Sequence, residues 1–118
     1  MKKLLAIALL AFLGSAQAIE GRYVGDLTDV TVDGENHDIS MFMSLALDFQ
    51  ADGAYVDMTL NGQNVRSPVL VRAAEGGKIE LYSQEGALKS LFFREYDENT
   101  LRCTNCKEMS LPMWWTKQ

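Results

Sequence analysis

The chain has 118 residues, a net charge of −5, 47% hydrophobic residues and two cysteines. That length allows one domain with a core of modest size. The acidic balance argues against the broad Lys/Arg face by which proteins hold nucleic acid or anionic membranes.

The first element is a leader. Lys2-Lys3 precedes an almost unbroken apolar run from Leu4 to Leu13, and Ser15-Ala16-Gln17-Ala18 then places small residues where a signal peptidase reads them. The run is about half the ~20 residues that a membrane-spanning helix needs. The expectation is a cleaved signal peptide over residues 1–18 and a single β-barrel domain over 19–118, periplasmic or secreted. The remainder is lopsided in charge. Glu20 through Asp57 carries nine acids with Arg22 as its one base, while the bases gather from Arg66 onward.

The rest of the chain alternates with period two, the signature of half-buried strands. Arg22–Val32 is broken by Gly25. Ile39, Met41, Met43, Leu45, Leu47 and Phe49 then give the longest alternating run, which predicts one strand over 39–49. Ala54–Leu60, Val65–Val71, Ile79–Leu81, Leu88–Tyr96, a short segment with Leu101 and Cys103, and Met109–Trp115 follow. Asp33-Gly34, Asp52-Gly53, Asn61-Gly62, Gly76-Gly77 and Glu85-Gly86 separate these runs with residues that tolerate positive φ; Asp97-Glu98-Asn99 and Thr104-Asn105 add two weaker bends. The pattern predicts an all-β fold of about eight antiparallel strands, an up-and-down meander closing as a small barrel, with a two-sheet sandwich as the alternative. Pro68 and Pro112 each remove a ladder donor and suit a bulge or a rim.

A meander behind an export signal that opens with Gly21-x-Tyr23 resembles the small bacterial lipocalin-like (calycin-type) barrels. That family carries Gly-x-Trp on its first strand, packed across the barrel floor, whereas Tyr23 stands here in place of the Trp. The resemblance implies a barrel whose interior takes an apolar ligand, and it carries no ligand identity.

Cys103-Thr104-Asn105-Cys106 is the sharpest local motif. In an oxidising compartment an even pair of cysteines becomes a disulfide, here expected across the base of a hairpin. A redox dithiol would need a depressed thiol pKa from a helix N-terminus, and no helix is predicted after Cys106. Zinc lacks further ligands, and Lys107 stands where haem attachment wants His. His37 with Met41 and Met43 forms a soft-ligand set suited to Cu(I), although Met on an inward strand face mostly fills core gaps. Asp29, Asp33, Glu35, Asn36 and Asp38 offer hard oxygens for Ca²⁺ without the spacing of an EF-hand. His37 is the one histidine, so no nucleophile–base set is assembled, and no catalytic residue and no cofactor is expected.

The aromatic doublets point to surfaces. Adjacent strand residues face opposite sides, so one of Trp114-Trp115 and one of Phe92-Phe93 must face outward, where Phe42, Tyr55 and Tyr82 could join them. The reading is an exported, non-catalytic binding protein with a small apolar ligand inside the barrel, against Tyr23, Met41, Met43, Leu45, Phe92 and Trp115. The alternatives are an inhibitor or envelope assembly factor meeting a cationic protein through Asp29, Asp33, Glu35, Asp38 and Trp114, and a redox or copper-handling protein.

Overall fold

The computed structural model describes residues 19–84, 86 and 89–118. The leader predicted at 1–18, Glu85 of the predicted Glu85-Gly86 bend and the predicted strand start at Leu88 lie outside the described residues.

Among the described residues ten strands run in chain order: β1 (Gly21–Gly25), β2 (Val30–Val32), β3 (Glu35–His37), β4 (Met43–Gln50), β5 (Gly53–Leu60), β6 (Gln63–Ala73), β7 (Ile79–Tyr82), β8 (Leu91–Asp97), β9 (Thr100–Cys103) and β10 (Trp114–Lys117). Eight of them close an antiparallel barrel in the order β1-β10-β9-β8-β7-β6-β5-β4, and β2-β3 forms a separate hairpin. Closure falls on β1, which pairs with β10 (Tyr23 opposite Lys117) on one side and with β4 (Tyr23 opposite Leu47) on the other. A closed ladder satisfies every strand edge it includes, which is why a meander with one apolar face curls up.

The period-two pattern sorts the two faces. Tyr23, Leu45, Leu47, Phe49, Ala54, Val69, Ile79, Leu81, Leu91, Phe93, Leu101 and Trp115 turn inward and are buried. Arg22, Asp48, Arg66, Arg72, Arg94 and Arg102 alternate with them on the outer wall. A charged exterior around an apolar interior is the inverse of a membrane-spanning barrel, whose outer band must be apolar. No helix among the described residues is long and apolar enough to cross a membrane.

The strand pairing defines two ends. One carries the Ala51-Asp52 turn, the Glu98-Asn99 turn and the start and end of the described chain. The other carries the β2-β3 hairpin and the long β9-β10 loop. At this second end Phe93 and Trp115 meet edge to face with centroids 5.8 Å apart. Trp115 Nε1 donates to the Pro112 carbonyl at 2.8 Å, satisfying the one polar atom of the buried indole. Gly25 is required here, because a Cβ would stand 2.9 Å from Pro112 Cγ and 3.0 Å from Trp115 Cζ3. Leu27 and Val30 join the same core cluster, so the hairpin caps this end.

Several predicted elements are corrected. Asp33-Gly34 turns with φ of 51° and 82°, the primed geometry of a two-residue hairpin, but it joins β2 to β3 rather than two barrel strands. The run from Ile39 does not begin a strand. Asp38 accepts hydrogen bonds from the Ser40 amide (3.0 Å) and hydroxyl (2.6 Å), and Phe42 N donates back to the Ile39 carbonyl. This local alternative to the ladder delays β4 until Met43. Met109–Met113 is not strand either: residues 107–109 form a 3₁₀ turn, Ser110 sits at φ 57°, and β10 starts at Trp114. Cys103 and Cys106 are joined, with Cα atoms 5.5 Å apart. Cys103 ends β9 and Cys106 lies in the following loop, so the bond braces a long connection instead of closing a hairpin base. Pro68 sits within β6, at a point where β6 pairs with β5 but not with β7.

Candidate binding sites

A cleft of about 430 Å³ opens at the end of the barrel away from the capping hairpin. Phe49, Ala54, Val69 and Val71 give it an apolar floor, Ile19 packs at its side, and Glu20 and Asp52 stand on its rim. The space exists because of the residues that surround it. Ala54 is the small inward residue directly after the Ala51-Asp52 turn, and it pairs with Phe49 and Val69. Phe49 is held on its other side by Tyr23, edge to face with centroids 5.9 Å apart. Burial, and secondarily the negative charge of Glu95, pushes the Tyr23 phenol above its ordinary pKa, so it stays neutral at physiological pH. Lys117 Nζ lies 6.0 Å from the Tyr23 ring and closes that side of the barrel.

The outer wall divides into two halves. Across β1, β4, β5, β6 and β7 every arginine is matched to a carboxylate. Arg22 and Arg66 both donate to Asp57 (2.5 and 3.0 Å), and Arg66 also donates to Asp48 at 2.8 Å. Arg72 donates through Nε and Nη2 to the two oxygens of Glu80 (2.8 and 3.0 Å), and Ser90 Oγ adds a third bond at 2.6 Å. The two β6 arginines lie three residues either side of Val69 and act alike. Arg66 stacks on Tyr55 at 4.3 Å and Arg72 on Tyr82 at 4.0 Å, so β6 is tied to both neighbours by an acid and an aromatic ring. The Arg66 hydrogen bond holds the Asp48 carboxyl below its ordinary pKa, and those from Arg72 and Ser90 do the same for Glu80.

Across β8, β9 and β10 the pattern reverses. Arg94 stands directly opposite Arg102, and Arg102 directly opposite Trp114. Neither arginine makes an ion pair among the described residues. The Arg102 guanidinium lies 5.3 Å from the Trp114 ring centroid, and Tyr96 meets Trp114 edge to face at 5.0 Å. Tyr96 is the extra residue of a bulge between Glu95 and Asp97, which aims it along the outer wall, 65% exposed.

The residues singled out from the sequence are scattered by the fold. Leu45 and Trp115 are packed into the core, and Tyr23 faces inward beside Phe49. Phe92 faces outward opposite Glu80. Met43 packs against the core while Met41 is 90% exposed. None of these six lines the cleft. His37 lies on the exposed strand β3, 3.8 Å from Glu35, so the thioethers and the imidazole do not share one strand face. No group of three or more His, Cys, Asp or Glu side chains converges as a metal site among the described residues. Asp29, Asp33, Glu35 and Asp38 are all exposed around the β2-β3 hairpin, whereas the neighbours of Trp114 are Arg102 and Tyr96.

Sequence reasoning missed the cleft residues Ile19, Ala54, Val69 and Val71. The available signal was Ala54, a small side chain at an inward position beside a turn. It also missed Arg94 and Arg102, whose juxtaposition needs a register that alternation cannot supply. No family model, no curated protein and no solved structure matches the chain.

Proposed function

We propose that this is an exported, non-catalytic binding barrel that takes a small apolar molecule at its open mouth rather than in its centre. One observation carries the reading. The barrel interior is filled by Trp115, Phe93, Leu81, Leu101 and Leu47, while the mouth keeps a cleft of about 430 Å³ in which apolar Phe49, Ala54, Val69 and Val71 stand beside polar Glu20, Gln50 and Asp52. That volume is within the ~300–1,000 Å³ usual for small-molecule sites. Glu20 and Asp52 at the rim disfavour an anionic head group, so the ligand is neutral or cationic. Native mass spectrometry of the protein isolated from an oxidising compartment tests this directly. An added mass that is retained by the wild type and lost in Ala54→Phe, whose new ring fills the cleft, is expected. A wild type that binds N-phenyl-1-naphthylamine no better than Ala54→Phe, and carries no added mass, contradicts it.

A second reading rests on the capped end. Met41 and Phe42 are 90% and 66% exposed beside Asp38, in the turn that joins the acidic β2-β3 hairpin to β4. Exposed apolar side chains next to carboxylates suit a cationic, amphipathic protein surface. Capture of a basic partner by the wild type and not by Met41→Ser/Phe42→Ser supports this reading; equal capture by both removes it.

A further inference from the structure

We infer that the outer wall of β8, β9 and β10 is a docking surface for a short acidic peptide segment of a partner protein, independently of any ligand in the mouth. The inference starts from a local cost. Directly opposed side chains on neighbouring antiparallel strands have Cβ atoms about 5 Å apart, and like charges in that position destabilise the pair. Arg94 and Arg102 occupy such a position. The same register that sets Ile79 opposite Phe93 brings Lys78, just before β7, abreast of Arg94. The wall therefore presents a row of Lys78, Arg94 and Arg102 that ends on Trp114. None of the three cations has an ion-pair partner among the described residues.

The chain does not lack carboxylates, having 16 acidic residues against 11 basic. On the other half of the barrel it places Asp48, Asp57 and Glu80 against every outward arginine. The row on β8–β10 is thus cationic in a chain of net negative charge, and a carboxylate supplied from outside is what completes it. Guanidinium groups are suited to that task because they offer paired donors to a carboxylate. Arg102 is already oriented by the Trp114 ring, which lowers the ordering cost on binding.

The aromatic component selects a protein over other anions. Trp, Tyr and Arg are the side chains that dominate interface energies, and Tyr96 and Trp114 stand edge to face immediately beside the cationic row. A long polyanion or an anionic bilayer would also meet the remaining acidic surface and be repelled by it. A short segment bearing two or three carboxylates and an aromatic or apolar residue meets the patch alone.

The test uses the whole protein and a fluorescently labelled synthetic peptide of alternating glutamate and tyrosine. Anisotropy should show saturable binding that weakens with added salt. Arg94→Gln/Arg102→Gln should weaken it by about tenfold or more, and Trp114→Ala should weaken it further. Lys107→Gln, which removes one positive charge elsewhere, should leave it unchanged. Folding does not confound the arginine variant, because relief of like-charge repulsion offsets loss of the Arg102–Trp114 contact, and a melting temperature close to that of the wild type checks this. Equal binding by the double variant and the wild type overturns the inference. So does tighter binding to oligogalacturonate or to phosphatidylglycerol vesicles than to the peptide.

Discussion

The two halves of the outer wall use the same side chains to opposite ends. On the β4–β7 side, Arg66 and Arg72 reach from β6 to acids on adjoining strands and lie over Tyr55 and Tyr82. On the β8–β10 side, Arg94 stands opposite Arg102 and Arg102 opposite Trp114, and neither arginine has an ion-pair partner among the described residues. Composition alone does not separate these cases, since each half contains arginines and aromatic rings. Pairing does. An arginine with a carboxylate on one side and a ring beneath it has spent its donors within the fold. An arginine opposite another arginine keeps its donors for something else.

The largest effect that sharpens this contrast lies in the tryptophan doublet. Trp115 is buried and hydrogen-bonded to the Pro112 carbonyl, so Trp115→Ala should remove about 3–5 kcal/mol of stability. Trp114, one residue away on the outer face, is half-buried and meets Tyr96 and Arg102 among the described aromatic and cationic groups, and Trp114→Ala should cost about 1 kcal/mol. Urea unfolding of the two variants measures both. Comparable losses would mean that Trp114 is structural and that the β8–β10 wall is not free.

The next effect belongs to the paired half. Asp57 is almost fully covered and receives both Arg22 and Arg66. Asp57→Ala leaves Arg22 without its carboxylate and Arg66 with Asp48 alone, and both guanidinium groups still reach water, so the cost should be about 1–2 kcal/mol rather than that of a fully buried pair. Chemical denaturation checks this figure.

A smaller effect follows from acid. Because Asp48 and Glu80 have folded-state pKa values below their ordinary ones, their ionised forms favour the native state. Their contribution is complete above the unfolded carboxyl values near pH ~4 and disappears as pH falls through the lower folded values. Melting curves taken downward from about pH 5 should show this loss. In Arg72→Gln the curve should be shallower, since Glu80 no longer gains a strong partner on ionising.

How much of this was legible beforehand differs by element. The barrel could be read from the sequence because Leu45, Leu47 and Phe49, then Ala54, Val56 and Met58, alternate without interruption and are separated by turns that demand positive φ. The capping hairpin could not. Asp33-Gly34 is the same chemical signal as Asn61-Gly62, and nothing local states that one joins barrel strands while the other stands aside. The delayed start of β4 is a competition between Asp38–Ser40 hydrogen bonds and ladder bonds, and it is decided by tertiary contacts such as Ile39 N to the Leu27 carbonyl. The disulfide pairing was readable from its spacing, but the loop around it was not, because Pro112 is fixed by the packing of Gly25 and Trp115. The cleft and the cationic row are products of register, which sequence periodicity leaves open by whole steps of two.

Thermal melting of Arg66→Gln and Arg102→Gln, measured side by side at neutral pH and low salt, bears most directly on the division between the two walls. Arg66→Gln should lower the midpoint, because Asp48 and Asp57 lose a donor and Tyr55 loses its cover. Arg102→Gln should leave the midpoint close to that of the wild type, because removing the charge opposite Arg94 offsets the loss of the Trp114 contact. A drop in Arg102→Gln as large as that in Arg66→Gln would contradict the account.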